Sequence, residues 1–210
     1  MRTLVIDAEN LGENHKYWID HHRLRRKIFV ERLGWDLRCA GDLEYDSFDT
    51  PAAHYVVAID DDDQVCAVSR LLPTTAPYMI QQLWPDWPEA GCPRSDAIWE
   101  ASRFGCAAGL SSQSRQEAIR MLFREIHAFG QQRGIEYYLM VMPRFIFERL
   151  IRPNGYRVDY VGADREIDGV RTCLGKVTIR RTAQSPAGST PASSPARAMP
   201  MAKDQGGRSF

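Results

Sequence analysis

From residue 114 to residue 179 the chain alternates helix-like with strand-like segments, and this alternation limits its possible folds more than any other feature. Ser114-Arg-Gln-Glu117 reads as a capping box, in which a hydroxyl accepts a helix-start N–H and a carboxylate reaches back. Behind it Ile119, Leu122, Phe123, Ile126 and Phe129 recur at three-and-four spacing, the signature of one apolar helix face, and the helix should end near Gly134. Ile135 to Met142 then reads as a buried strand, and Arg144 to Arg152 as a shorter helix closed by Pro153-Asn154-Gly155. Tyr156 to Val161 and Val170 to Ile179 supply further strands. Upstream, Ile19, Leu24, Ile28 and Phe29 mark an amphipathic helix from about Tyr17 to Leu33, stopped by Gly34. A long polar loop follows to Pro51, and His54 to Ile59 pairs with Val65 to Leu72 around a solvated acidic turn, Asp60 to Asp63. Strands interleaved with helices predict an α/β chain, a single-domain α-β-α sandwich rather than a bundle or an all-β barrel.

A chain of 210 residues with 44% hydrophobic residues can build one full core. Its 27 Lys and Arg balance 27 Asp and Glu, which argues against a histone-like nucleic-acid binder, and no nucleic-acid motif accompanies the charge. The balance is uneven along the chain: 18 acidic and 11 basic residues lie in residues 1–105, against 9 and 16 in residues 106–210. The segment 183–210 holds four of the twelve prolines among Ser, Ala, Gly and Thr, so a disordered tail is expected beyond a domain over residues 1–182. No window holds the roughly 18 apolar residues of a membrane span, and the acidic start MRTLVIDAEN does not suit a signal peptide. Five scattered cysteines without CxxC and five histidines without HExxH point to a reduced, cytoplasmic protein with no metal.

Charged residues in apolar settings mark the candidate chemistry. Arg25 and Phe29 lie one helical turn apart, Trp35 follows the helix, Asp46 and Asp49 stand in the loop, Arg70 in a strand, and Glu100 and Arg103 in Trp99-Glu-Ala-Ser-Arg-Phe104. Three guanidinium groups and three carboxylates cannot be buried singly, so a mutually paired network is expected. Glu100 and Arg103 are three apart, which puts them on opposite faces of a regular strand, so a bend is expected between them if both join one site.

These residues resemble the acyl-homoserine-lactone synthases, the LuxI-type autoinducer synthases. The matching positions are Arg25-x-x-x-Phe29, Trp35 in Glu-Arg-Leu-Gly-Trp, Asp46-Ser-Phe-Asp49, Arg70-Leu-Leu-Pro-Thr-Thr and Trp99-Glu100-Ala-Ser102-Arg103-Phe104. The resemblance covers roughly residues 1 to 180 and implies a fold similar to the N-acetyltransferases (GNAT-like), with a mixed central sheet split by a V-shaped cleft. It also implies two substrates, S-adenosylmethionine and a fatty acyl thioester on acyl carrier protein or coenzyme A, with no separate cofactor. The products are an N-acyl homoserine lactone and 5′-methylthioadenosine, and the lactone, a quorum-sensing signal, acts on a separate transcription regulator.

On that reading Glu100 is the expected general base toward the attacking amine, held by Arg103 or Arg70, with backbone N–H groups around Ser102 to Phe104 for the oxyanion. Arg25, Phe29, Trp35, Asp46, Asp49, Arg70 and Phe104 are the expected S-adenosylmethionine contacts, with aromatic rings toward adenine or the sulfonium. An apolar slot for the acyl chain is expected between the long helix and the strand after it, from Leu122, Phe123, Ile126, Leu139, Met140, Met142, Phe145 and Phe147. Family members often carry Thr where Met142 stands, and Met cannot donate to a 3-oxo group. Arg144, Arg149 and Arg152, with Arg157, offer a docking face for an acidic donor. The competing readings are an acetyl-CoA-dependent N-acetyltransferase, whose phosphate-cradling turn is poorly matched by Gln131-Gln-Arg-Gly134-Ile-Glu136, and a non-enzymatic binding module.

Overall fold

A computed structural model describes residues 1–179, and the tail expected from residue 183 lies outside the described residues. Ten strands and four α-helices follow in the order β1 (Arg2–Ile6), α1 (His15–Arg25), β2 (Cys39–Ala40), β3 (Leu43–Glu44), β4 (His54–Ile59), β5 (Val65–Pro73), α2 (Met79–Leu83), β6 (Ile98–Cys106), α3 (Ser112–Gln132), β7 (Tyr137–Pro143), α4 (Arg144–Ile146), β8 (Arg157–Tyr160), β9 (Arg165–Ile167) and β10 (Val170–Thr178). The main sheet runs β1-β4-β5-β6-β7-β10-β8, with β9 on β10, while β2 and β3 form a separate small ladder.

Strand alternation divides the core. Val56, Ala58, Leu71, Trp99, Ala101, Tyr138, Met140 and Met142 face α3, while Tyr55, Val57, Val68, Leu72, Leu139 and Leu174 face α1 and the turn that extends it. Helices on both faces make the α-β-α sandwich. All neighbouring pairs are antiparallel except β6 and β7, which need the α3 crossover between them. That parallel ladder holds only Ile98↔Tyr137, Trp99↔Tyr138 and Glu100↔Leu139. Beyond it β6 continues to Cys106 and β7 to Pro143, and the parting of the two strands is the V-shaped cleft.

Several local expectations shift. The first helix is α-helical only to Arg25 and continues as a π-helix over Arg26–Arg32, with Gly34 at φ +74 ending it. The helix 144–152 is likewise a short α-helix running into a π-helix, Phe147–Ile151, closed by left-handed Gly155. The long helix is capped by Ser111, not Ser114: the Ser111 hydroxyl accepts the Ser114 N–H at 3.1 Å. A serine three residues earlier does the same capping and gains a further turn of backbone bonds, beginning with Arg115 N to Ser111 O at 2.9 Å.

Gly175 of β10 marks a close approach. A Cβ there would lie 2.5 Å from two ring carbons of the fully buried Phe147. Gly175→Ala is expected to lower stability by about 1–3 kcal/mol, the usual cost of overpacking, read as a lower urea midpoint at constant slope. An unmoved midpoint would mean that the ring yields freely.

Candidate active site

Three arginines from three elements meet three carboxylates, Glu44 at the end of β3 and Asp46 and Asp49 in the loop between β3 and β4. Arg25, at the end of α1, donates from Nε to Glu44 at 2.6 Å and from Nη1 and Nη2 to Asp49 at 2.7 and 2.9 Å. Arg70 of β5 donates to Asp46 and, at 3.0 Å, to Asp49. Arg103 of β6 donates to Asp46 at 2.8 Å and to Glu44 at 3.2 Å. Each carboxylate therefore bridges two guanidinium groups, and the six groups close into a ring: Arg25, Glu44, Arg103, Asp46, Arg70, Asp49. The expected network forms, but its third carboxylate is Glu44 rather than Glu100. Since the ring sums to zero, the acidic excess of the first half lies elsewhere, notably in the Asp60 to Asp63 turn beside Met1, Arg2 and Lys16.

The ring can be buried because its charges are mutually compensated. Burial opposes the ionised Asp49 carboxyl, yet hydrogen bonds and charge from Arg25, then the charge of Arg70, hold it well below the usual carboxylate range. Its remaining partners are the Tyr55 hydroxyl, donating at 3.0 Å, and the Asp46 N–H at 2.7 Å. Two histidines, His21 and His22, wall this end. Burial pushes both below the ordinary imidazole value, His22 to about 4, and His21 lies against the Tyr55 ring at 4.3 Å.

Glu100 stands apart from the ion pairs. It is fully buried, accepts the Ile80 N–H on Oε2 at 2.7 Å, and has no partner at Oε1. Burial pushes its carboxyl up to about 7, with the Ile80 N–H, Arg70 and Ser102 pulling the other way. Arg70 Nη2 is also buried without a partner, while Arg70 Nε donates to the Ser102 hydroxyl at 3.2 Å. A buried carboxyl pushed up to about 7, with one oxygen unpartnered, and a guanidinium whose charge acts on it, with one nitrogen unpartnered, are equipped to exchange a proton and hold an anion.

The expected bend between Glu100 and Arg103 is present. Arg103 has φ +52, and the β5–β6 register shifts between Val68 and Arg70. This left-handed residue turns the Arg103 side chain to the face of Arg70. It also sends Phe104 the other way: Phe104 stacks on Phe123 of α3 at 5.0 Å, so it does not join the charged site as expected. Phe29, by contrast, is buried beside the ring, with the Arg103 guanidinium 5.6 Å above it and Trp35 stacked on it at 5.1 Å. Trp35 is 37% exposed and forms the outer wall.

The expected acyl slot is redistributed. Leu122, Phe123, Ile126, Met140, Met142 and Phe147 share the core under α3, but strand alternation puts Leu139 on the opposite face. Phe145 is 55% exposed on α4, because the helix turns Phe147 inward and Phe145 out. Of the docking arginines, Arg144 is held by Asp164 at 2.7 Å, Arg152 pairs with Glu148 at 3.3 Å, and Arg149 is exposed. Glu44, Tyr55 and the two histidines were missed; only Glu44 carried a signal, as the third acid of a loop facing three arginines.

A three-layer fold with a split central sheet and a buried carboxyl, pushed up to about 7, at the split is suited to acyl transfer onto an amine. Solved N-acyltransferases share the fold alone, among them a putative N-acetyltransferase from Lactobacillus plantarum at 16% identity and TM-score 0.52, covering 86% of this chain and 100% of that one. The sequence model of the autoinducer synthases matches residues 9–185. An acyl-homoserine-lactone synthase from Aeromonas salmonicida is 32% identical over 171 residues, covering 79% of this chain and 82% of the relative. BjaI, a coenzyme A-dependent acyl-homoserine lactone synthase solved with S-adenosylmethionine and isopentyl-coenzyme A, is 28% identical at TM-score 0.77, covering 86% and 84% of the two chains. The chain belongs to the autoinducer synthase family. It is an acyl-homoserine-lactone synthase, a transferase of quorum sensing, and the acetyltransferase reading is not favoured. Gln131 to Glu136 lies at the C-terminal end of α3, where no helix-start amides can cradle a phosphate. No described helix is long and apolar enough to cross a membrane, and no cluster of metal-ligating side chains occurs among the described residues.

Proposed function

We propose that the chain joins S-adenosylmethionine to a fatty acyl thioester with Glu100 as the general base. The orphaned, near-neutral Glu100 carboxyl carries this reading. Glu100 Oε1 takes a proton from the methionyl ammonium, the freed amine attacks the thioester carbonyl, and the C–S bond breaks to release the thiol. The methionyl carboxylate then displaces 5′-methylthioadenosine from the γ-carbon; the sulfonium is already a good leaving group, so this closure needs mainly orientation. Arg25 is engaged at all three guanidinium nitrogens, so Arg70 Nη2 is the better partner for the substrate carboxylate. The cationic sulfonium suits Asp46, the most exposed ring carboxylate at 20%, and Phe29 and Trp35 suit the adenine side. Asp49, Arg25 and Arg103 serve by holding the loop to the sheet. Ser102 bridges Arg70 toward Glu100.

The acyl donor, carrier protein or coenzyme A thioester, docks by Arg149, Arg152 and Arg144 near the end of β7. The enzyme works in the cytoplasm without a further cofactor, and its product acts on a separate transcription regulator. Purified protein, S-adenosylmethionine and a panel of both donor types should give acyl homoserine lactone and methylthioadenosine in equal amounts by mass spectrometry. Absence of both across correctly loaded donors would sink the assignment.

A further inference from the structure

We propose that Phe147, seated on Gly175, is the end wall of the acyl slot and restricts the enzyme to short alkanoyl chains without a 3-oxo group. The inference rests on the acyl-transfer reading and concerns only which chain is accepted.

A chain whose carbonyl sits by Glu100 must leave through the gap where β6 and β7 part. On the α3 side that gap opens between Ala101 and Met140, both nearly fully buried. A chain entering there meets Leu122, Phe123 and Ile126 of the core under α3, and Phe104 stacked on Phe123 stands on the β6 flank. Movement is easiest toward β10, since Met140 and Met142 are unbranched and adaptable. There Met140 pairs with Gly175 across the ladder. Because Gly175 has no side chain, the Phe147 ring drops onto its backbone, and Tyr160 braces the ring edge-on at 5.6 Å. Phe147 is fully buried between Gly175 and Tyr160, so a longer chain could displace the ring only by shifting packed neighbours.

The polar groups around this space are already engaged. The Tyr138 hydroxyl donates to Ile126 O at 3.0 Å, the Tyr156 hydroxyl to Phe123 O at 3.1 Å, and the Cys173 thiol to Asp164 at 3.2 Å. A 3-oxo group on the chain would be buried without a free donor, which disfavours 3-oxo chains.

The test is a chain-length profile, measured as kcat/KM for butanoyl, hexanoyl, octanoyl, decanoyl and dodecanoyl thioesters on both carrier protein and coenzyme A, with 3-oxo analogues. The wild type should prefer the three shortest chains and disfavour each 3-oxo analogue. Phe147→Ala should raise the dodecanoyl-to-hexanoyl ratio by about tenfold or more, the scale set by a methylene or two in an apolar pocket. Phe147→Leu, which keeps most of the packing, should move the ratio the same way to a smaller extent and decides the matter if the alanine variant fails to fold. A wild type that prefers dodecanoyl, or variants that lose all chains equally, overturns the wall while the acyl-transfer reading stands. No product from any thioester overturns that reading and the wall together.

Discussion

Glu100→Gln is expected to lower turnover by orders of magnitude while leaving the fold intact. The amide is nearly isosteric and its carbonyl can still accept the Ile80 N–H that Glu100 Oε2 accepts at 2.7 Å. What disappears is the ability to take a proton. General-base contributions are typically about a hundred- to ten-thousandfold, so the loss should fall in that range, in kcat rather than in the KM for S-adenosylmethionine. Near-normal kcat would remove Glu100 as the base. The same carboxyl predicts the pH profile of the wild type: with its pKa pushed up to about 7, the basic form and the rate rise as pH increases through 7.

Stability should respond in the opposite sense. A buried carboxyl whose folded pKa is raised binds its proton more tightly in the native state than in the unfolded chain. Between the unfolded value and about 7 the native state therefore holds more protons, and its stability declines as pH rises. The Gln variant lacks this slope. Measured by urea unfolding, its stability relative to wild type should improve by about 3 kcal/mol between pH 5 and pH 8, the scale of a shift of two to three pKa units. A pH-independent difference would mean that Glu100 is not ionising in its buried place.

The sequence made the fold largely legible because its main signals are local. Apolar periodicity marks α3, β4, β5, β7 and β10, and each is present within a few residues of its expected span. Short elements such as β1, α2 and β9 escaped because their registers are set by neighbours rather than by their own pattern. The charged site was legible for a different reason: buried charge must be compensated, so arginines in apolar segments announce carboxylates. That argument fixes how many partners are needed but not which. Glu44 replaced Glu100 in the ring because β2 and β3 fold the loop back and bury Glu44 against Arg25. The face of each residue on β6 was illegible beyond Ser102, because one left-handed residue, Arg103, reverses the alternation and carries Phe104 away from the site.

Asp49→Asn should be among the most destabilising single substitutions in the ring. Asp49 receives Arg25 at two nitrogens, Arg70, Tyr55 and the Asp46 N–H, and it is nearly fully buried. An asparagine keeps the volume but offers one acceptor oxygen in place of two, and it leaves a net positive charge between Arg25 and Arg70, neither of which can lose its proton. Breaking a buried ion pair by removing one partner costs about 3–5 kcal/mol, which for a domain of this size is roughly a 10 °C fall in Tm. The pH dependence separates charge from shape. The folded pKa of Asp49 is depressed, so its stabilising contribution is fully present above the unfolded carboxylate value, about 4, and is lost as pH falls through the folded value. The gap between wild type and variant should therefore be constant from pH 8 to about 5 and narrow in stronger acid. A gap that stays constant into acid would mean that the loss comes from disturbed packing of Tyr55 and the loop, and that the closed ring contributes geometry without net charge compensation.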